Sequence, residues 1–253
     1  MTLRTENLTI RFGGHAAVNG VSCAFQPGEL TAIVGPNGAG KTTWFNLVSG
    51  QLRPTEGRIF LGERDITALS PSARAKSGIG RAFQLTNLFP KLSVLENVRL
   101  VVQARRGVGP SALSRASRLS DIAAEARTYL DRTRLAHVAE LPAAALPHGD
   151  QRKLEVALLT AMEPSIFMFD EPTAGMSVDE APAILELIAN IRKDTAKTIL
   201  LVEHKMDVVR ELADRIIVLH NGSLVADGEP AAVIASPVVQ EAYLGVAATK
   251  EAA

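Results

Sequence analysis

The segment LTAIVGPNGAGKTTWFNLVSG, residues 30–50, limits the possible folds of this chain more than any other. It carries G-x-x-x-x-G-K-[ST] between an apolar run and a stretch of helical spacing, Gly40 to Ser49. Strand, glycine-rich turn and helix in that order make a cradle for phosphate. Gly35, Gly38 and Gly40 let backbone N–H groups close around phosphate oxygens, and the helix start adds the positive end of its dipole. Lys41 brings a point charge to the β and γ oxygens, and Thr42 offers a hydroxyl oxygen to Mg2+. Pro36, Asn37, Ala39 and Thr43 complete the loop. The expected activity is therefore nucleoside triphosphate binding.

Two further apolar runs, SIFMF (165–169) and TILLV (198–202), suit strands buried on both faces of a parallel sheet. Helical spacing follows in Val178 to Arg192 and Met206 to Leu212, which predicts an α/β fold with active groups at the carboxyl ends of strands. Leu3 to Phe25 and RIFLGERDI (58–66) read as antiparallel strands, and Asn221-Gly222 between apolar runs predicts a hairpin. Residues 88–162 are rich in Ala, Leu and Arg and show no strand pattern, so they read as a helical insert. Within it, RRGVGPSALSRASRLS (105–120) reads as a surface loop or a frayed helix end. The expected organisation is one domain, 1–253, with a core of 1–87 and 163–253 and a helical subdomain of 88–162.

Charge narrows the choice of partners. Lys plus Arg and Asp plus Glu each number 27, so no overall field draws nucleic acid or anionic lipid. The arginines of 105–120 have no interleaved aromatics and are followed by acids, the pattern of a solvated face. Cys23 is the single cysteine, and the start MTLRTENLTIRF has no apolar signal core; both point to the cytosol. No apolar stretch nears the roughly 18 residues a spanning helix needs, so other chains would do any crossing.

SIFMFDEP places Asp170 and Glu171 at the end of a buried strand. Asp170 can hold a magnesium shell, and Glu171 can polarise an attacking water as general base, although a DE pair before Pro172 also suits an ordinary turn. Gln84, at the junction of sheet and insert, can touch Mg2+ or the lytic water. His204, after TILLV, can contact the γ-phosphate. Each of these two also fits an ordinary polar loop position. LPHGDQRKLE (146–155) has the proline and glycine of a helix start.

The ordered set GPNGAGKT, Gln84, LPHGDQ, FMFDEP and His204 resembles the nucleotide-binding subunit of ATP-binding-cassette transporters over essentially the whole chain. The resemblance implies a P-loop NTPase of the ABC type: a mixed sheet with an antiparallel β part and an inserted α-helical subdomain. Leu146, Pro147, His148, Gly149, Asp150 and Gln151 stand where the family has a signature loop, usually LSGGQ, facing the γ-phosphate of ATP bound to a second subunit. Pro147 replaces its serine, His148 a glycine and Asp150 its glutamine; Ser177 stands where aspartate is usual. Phe12 takes the place of the aromatic that stacks on adenine, and is equally plausible as core. Implied cofactors are ATP and Mg2+, with Thr42, Gln84 and Asp170 on the metal, Glu171 as base and His204 sensing the γ-phosphate.

Implied partners are a second ATPase subunit, identical or paralogous, two transmembrane permease subunits received near Leu88 and Phe89, and indirectly a substrate-binding protein. The implied location is peripheral, at the cytoplasmic face of the membrane. RAFQLTNLFPKLSVLENV, QRKLE, DEPTAGMS and the close after VVQEAYLG are most similar to ATPases of branched-chain amino acid importers and their relatives. The alternative is a regulatory or structural cassette not coupled to transport, which would carry paired cassettes, coiled coils or a basic surface. A GTP switch or small-molecule kinase would need other features, the former an N-K-x-D motif, absent here. A degenerate, non-hydrolysing cassette stays compatible with Pro147 and Ser177.

Overall fold

In the computed structural model, which describes residues 1–82, 88–108 and 116–244, the apolar runs become the central strands. Strands β3 (Leu30–Val34), β7 (Ile166–Asp170) and β8 (Thr198–Val202) are buried at every position, as strands covered on both faces must be. They pair in parallel, β3 with β8 and β8 with β7. On the other side of β3 lies β9 (Arg215–His220), also parallel, and β10 (Ser223–Gly228) returns antiparallel to β9 through the Asn221-Gly222 turn. Positive φ values of 47° and 76° at those two residues are what a tight hairpin turn demands. The sheet order is β10-β9-β3-β8-β7-β6, and β6 (Ile79–Ala82) was not expected from its sequence, IGRA. A separate antiparallel sheet has the order β2-β1-β4-β5, from β1 (Leu3–Phe12), β2 (His15–Phe25), β4 (Glu56–Leu61) and β5 (Arg64–Asp65).

The chain divides into two compact units, the first comprising Met1–Ile79, Ser165–Glu171 and Ile191–Ala253. Its helices are α1 (Lys41–Ser49), α2 (Pro71–Lys76), α7 (Met206–Leu212), α8 (Pro230–Ala235) and α9 (Pro237–Leu244). One core joins Phe25, Trp44, Phe45, Ile166, Met168 and Leu200. Trp44 lies 5.5 Å from Phe25 and 5.9 Å from Phe45, ring centre to ring centre. Each such side chain contributes about 1.5–3 kcal/mol by leaving water. The carboxyl end of α1 is fixed by buried Arg74, which donates to the carbonyls of Leu47 (2.6 Å) and Val48 (2.7 Å) as well as Thr67 (2.8 Å). The carbonyls of Leu47 and Val48 are among those that a helix end leaves without intrahelical partners.

The second unit comprises Gly80–Pro164 and Pro172–Asn190. It holds α3 (Val94–Arg105), α4 (Ala116–Arg132), α5 (His148–Ala161) and most of α6 (Ala181–Arg192). Val98, Val102, Ile122, Leu130, Leu154 and Ala157 form its apolar centre. Of the surface loop or frayed helix end expected at 105–120, Arg105 closes α3 and residues 116–120 open α4. Ile122, Ala126, Tyr129 and Leu130 supply a buried helical stripe that overrides the serine and arginine content before it. Residues 109–115 lie outside those described. The helix expected from Val178 starts at Ala181, after a turn over 178–180 in which Glu180 N–H and Ala181 N–H donate to Ser177 O (3.3 and 3.2 Å).

Candidate nucleotide site

The phosphate loop leaves β3 at Gly35 and enters α1 at Gly40, and both positions exclude side chains. A Cβ on Gly35 would lie 2.1 Å from the Leu219 carbonyl oxygen, and one on Gly40 would lie 2.4 Å from that of Ala17. Gly40 also has φ +98°, which L side chains rarely adopt. The loop is braced from outside: Gly222 N–H donates to Ala39 O (3.0 Å), and Asn19 N–H donates to Gly222 O (2.8 Å). What remains open is a cavity of about 190 Å³ lined by Ala17, Asn37, Gly38, Ala39, Gly40, Lys41, Thr42, Thr43, Glu171 and His204. The first turn of α1 has neither an acidic residue nor a side-chain cap, so its N–H groups and dipole are left to an anion.

Lys41 is buried and donates to the carbonyls of Gly35 (2.7 Å) and Pro36 (3.0 Å). Burial pulls its pKa below 10.5, while Glu171 and Asp170 push it back. The ammonium therefore sits in the field of both carboxylates. Asp170, buried at the end of β7, pairs with Val202 of β8, and Glu171 N–H donates to Val202 O (2.9 Å). Glu171 has φ +50°, a strained conformation for a residue with a side chain. Its Oε1 lies 2.7 Å from His204 Nε2, and with the carboxylate ionised the imidazole is the donor. Glu203, buried, accepts from His204 N–H (3.0 Å) and fixes the turn that presents the histidine. The Thr42 hydroxyl and the Asp170 carboxylate are hard oxygen donors that suit a magnesium ion retaining its own waters. Gln84 lies outside the described residues.

Phe12 ends β1 and is 52% exposed, which removes the core alternative for it; it does not line the cavity. In the second unit, Pro147 caps α5 without a side-chain bond, Leu146 is buried, and Gln151 Nε2 donates to Leu146 O (2.9 Å). Asp150 is paired with Lys153 (2.8 Å). His148 and Gly149 begin the helix, and the nearest atom to a Cβ on Gly149 would be Glu180 Oε1 at 2.7 Å. Sequence reasoning missed Ala17, the bracing role of Gly222 and the position of Glu180. The last carried a signal, since S-x-x-E at 177–180 is a helix-start pattern.

Residues 18–174 match the family model described as ABC transporter. The chain belongs to the ABC transporter family. It is an ATP-binding subunit of the ABC ATPase type. Residues 223–249 also match the model described as branched-chain amino acid ATP-binding cassette transporter. The high-affinity branched-chain amino acid transport ATP-binding protein LivG of Salmonella typhimurium is 39% identical over 97% of this chain and 98% of its own length. BraF of Pseudomonas aeruginosa, of the same description, is 37% identical over 97% and 98%. The ADP conformation of MJ1267, an ATP-binding cassette of an ABC transporter, superposes with a TM-score of 0.82 at 30% identity, covering 97% of this chain and all of that one. The dimeric structure of MJ0796, a bacterial ABC transporter cassette, gives 0.76 at 27% identity, over 90% and 98%. Among the described residues no helix is long and apolar enough to cross a membrane.

Proposed function

We propose that this ATPase powers an importer for branched-chain or other small amino acids, working at the cytoplasmic face of the membrane beneath two permease subunits. The observation that carries the cargo assignment is near full-length similarity, 39% over 97% of the chain, to proteins named for branched-chain amino acid transport. The chemistry rests on the cavity, where the loop, Lys41, Glu171 and His204 converge. Residues 35–43 hold the triphosphate, and Lys41 exchanges the carbonyls of Gly35 and Pro36 for phosphate oxygens. Glu171 takes the proton of the attacking water as the water oxygen bonds to the γ-phosphorus and the β–γ bridging P–O bond breaks. His204 holds that carboxylate in place from 2.7 Å and contacts the departing phosphate. Phe12 offers an exposed ring to adenine. Magnesium, held by Thr42, Asp170 and Gln84, would neutralise charge on the β and γ oxygens.

Leu146 to Gln151, within the proposed helical signature subdomain of residues 88–162, complete the ATP site of a second ATPase subunit. ATP binding closes the pair and hydrolysis reopens it, which drives the permease between its two states, while a substrate-binding protein delivers cargo. The test is uptake of radiolabelled leucine, isoleucine and valine by cells that carry either this chain or its Lys41→Ala variant as the sole copy. Uptake that depends on Lys41 supports the reading. Undiminished uptake of all three, together with unchanged uptake of other small amino acids, would sink it.

A further inference from the structure

Two helix starts in the second unit share one carboxylate. Glu180 Oε2 accepts from Ser177 N–H (3.1 Å) and Ser177 Oγ–H (3.1 Å), while Glu180 N–H donates to Ser177 Oγ (3.3 Å). This is a reciprocal capping box ahead of α6. The other oxygen, Oε1, stands 2.7 Å from where a Cβ on Gly149 would be, against the first turn of α5. That turn has no side-chain cap of its own, and the positive end of the helix dipole lies there. The Ser177 bonds hold the Glu180 carboxyl below its ordinary range, with the nearby His148 acting in the same direction and Asp150 against it. The turn that the proposed function gives to a partner subunit's γ-phosphate thus has a carboxylate of this chain beside its second residue, Gly149.

We propose that Glu180 is an electrostatic gate on the signature turn: its charge opposes the γ-phosphate of ATP held by a second copy and raises the ATP concentration needed for pairing. The inference rests on the reading of Leu146–Gln151 as the second half of an ATP site, and it adds a residue that sets the threshold. Nucleotide binding to the phosphate loop of the same chain is not part of the gate. A purely structural capping role predicts the opposite sign, because weakening the box would loosen the signature turn and make pairing harder.

The experiment compares full-length Glu171→Gln with Glu171→Gln/Glu180→Gln and Glu171→Gln/Ser177→Ala. Each is titrated with ATP and Mg2+ and its mass followed by sedimentation, with ATP binding to the monomer measured in parallel. The glutamine keeps an oxygen to accept from Ser177 and removes only the charge; the alanine loosens the box and keeps the charge. Removal of Glu180's charge is expected to lower the ATP midpoint for pairing by about three- to tenfold, the size of one screened charge at close range. Monomer binding is expected to stay unchanged, and Ser177→Ala should give no such gain. A midpoint that stays put or rises on Glu180→Gln, while Glu171→Gln itself pairs, overturns the gate and leaves the second-site reading standing. If Glu171→Gln remains monomeric at saturating ATP, homodimeric completion of the site falls, and the gate falls with it.

Discussion

Gly222 lies on a hairpin far along the chain from the phosphate loop, yet its N–H holds Ala39 O at 3.0 Å. Replacing it with alanine should therefore damage ATP binding more than its cost in stability would suggest. Two effects add. A non-glycine residue at φ +76° costs about 1 kcal/mol, and the new Cβ would sit 2.9 Å from Ala17 O and 3.0 Å from Ala16 O, so backbone must move. Gly62 provides a matched control: its φ is +58°, and a Cβ there meets nothing within 4 Å. Gly62→Ala should thus lower stability by about 1 kcal/mol and leave ATP affinity within twofold of wild type. Gly222→Ala should lower stability by about 2–3 kcal/mol, since it adds a clash and strains one backbone hydrogen bond. If re-forming the Ala39 contact on binding costs about 1.4 kcal/mol, ATP affinity falls about tenfold. Thermal unfolding supplies the first quantity and calorimetric titration with Mg-ATP the second. A Gly222→Ala protein less stable than Gly62→Ala but equal to it in ATP affinity would refute the idea that the hairpin holds the loop in its binding shape.

Three further outcomes are expected. Glu171→Gln should bind ATP with near wild-type affinity and release phosphate about 10²–10⁴-fold more slowly, the usual range for loss of a general base. His204→Ala, which removes the 2.7 Å contact with Glu171, should reduce turnover about 10²-fold with little change in the Michaelis constant for ATP. Cys23, whose thiol is pushed by burial from 9.0 up to about 12, should resist alkylation at pH 8 in the folded protein and react rapidly once unfolded. The folded chain keeps a proton there that the unfolded chain releases, so stability falls as pH rises from about 9 towards 12. Melting curves of Cys23→Ala should be flatter than wild type across that window.

Strands covered on both faces were readable because they are apolar apart from Thr31, Thr198 and the terminal Asp170, and LTAIV, SIFMF and TILLV all appear within one residue of where their apolar runs stand. The phosphate loop was readable because its glycines, each at a positive φ, stand at a fixed spacing before Lys41 and Thr42. What stayed hidden is set by packing between distant segments. Arg74 looks like a surface arginine in PSARAKS, yet it is buried against the carboxyl end of α1. Strand β6 is four residues with a glycine and an arginine, too short and too mixed to announce itself. Glu180 belongs to a legible capping box, but its approach to Gly149 joins segments 31 positions apart without any shared periodicity.

The juxtaposition of Glu171 and His204 follows from strand register rather than from either loop alone. Asp170 stands opposite Val202 in the β7–β8 ladder, and the bond from Glu171 N–H to Val202 O carries the pairing one residue further. Successive residues of a continuing strand face opposite ways, so Asp170 and Glu171 could not both act on one pocket if β7 simply went on. The turn to φ +50° at Glu171 breaks that alternation, and both carboxylates come to act on Lys41. The left-handed conformation costs about 1–2 kcal/mol. The fully buried ladder behind it is what can sustain that cost, because slipping the register by one residue would turn every apolar side chain of a central strand out of place. The uninterrupted run SIFMF and the strained glutamate that follows it are therefore one device: the first fixes the register that makes the second useful.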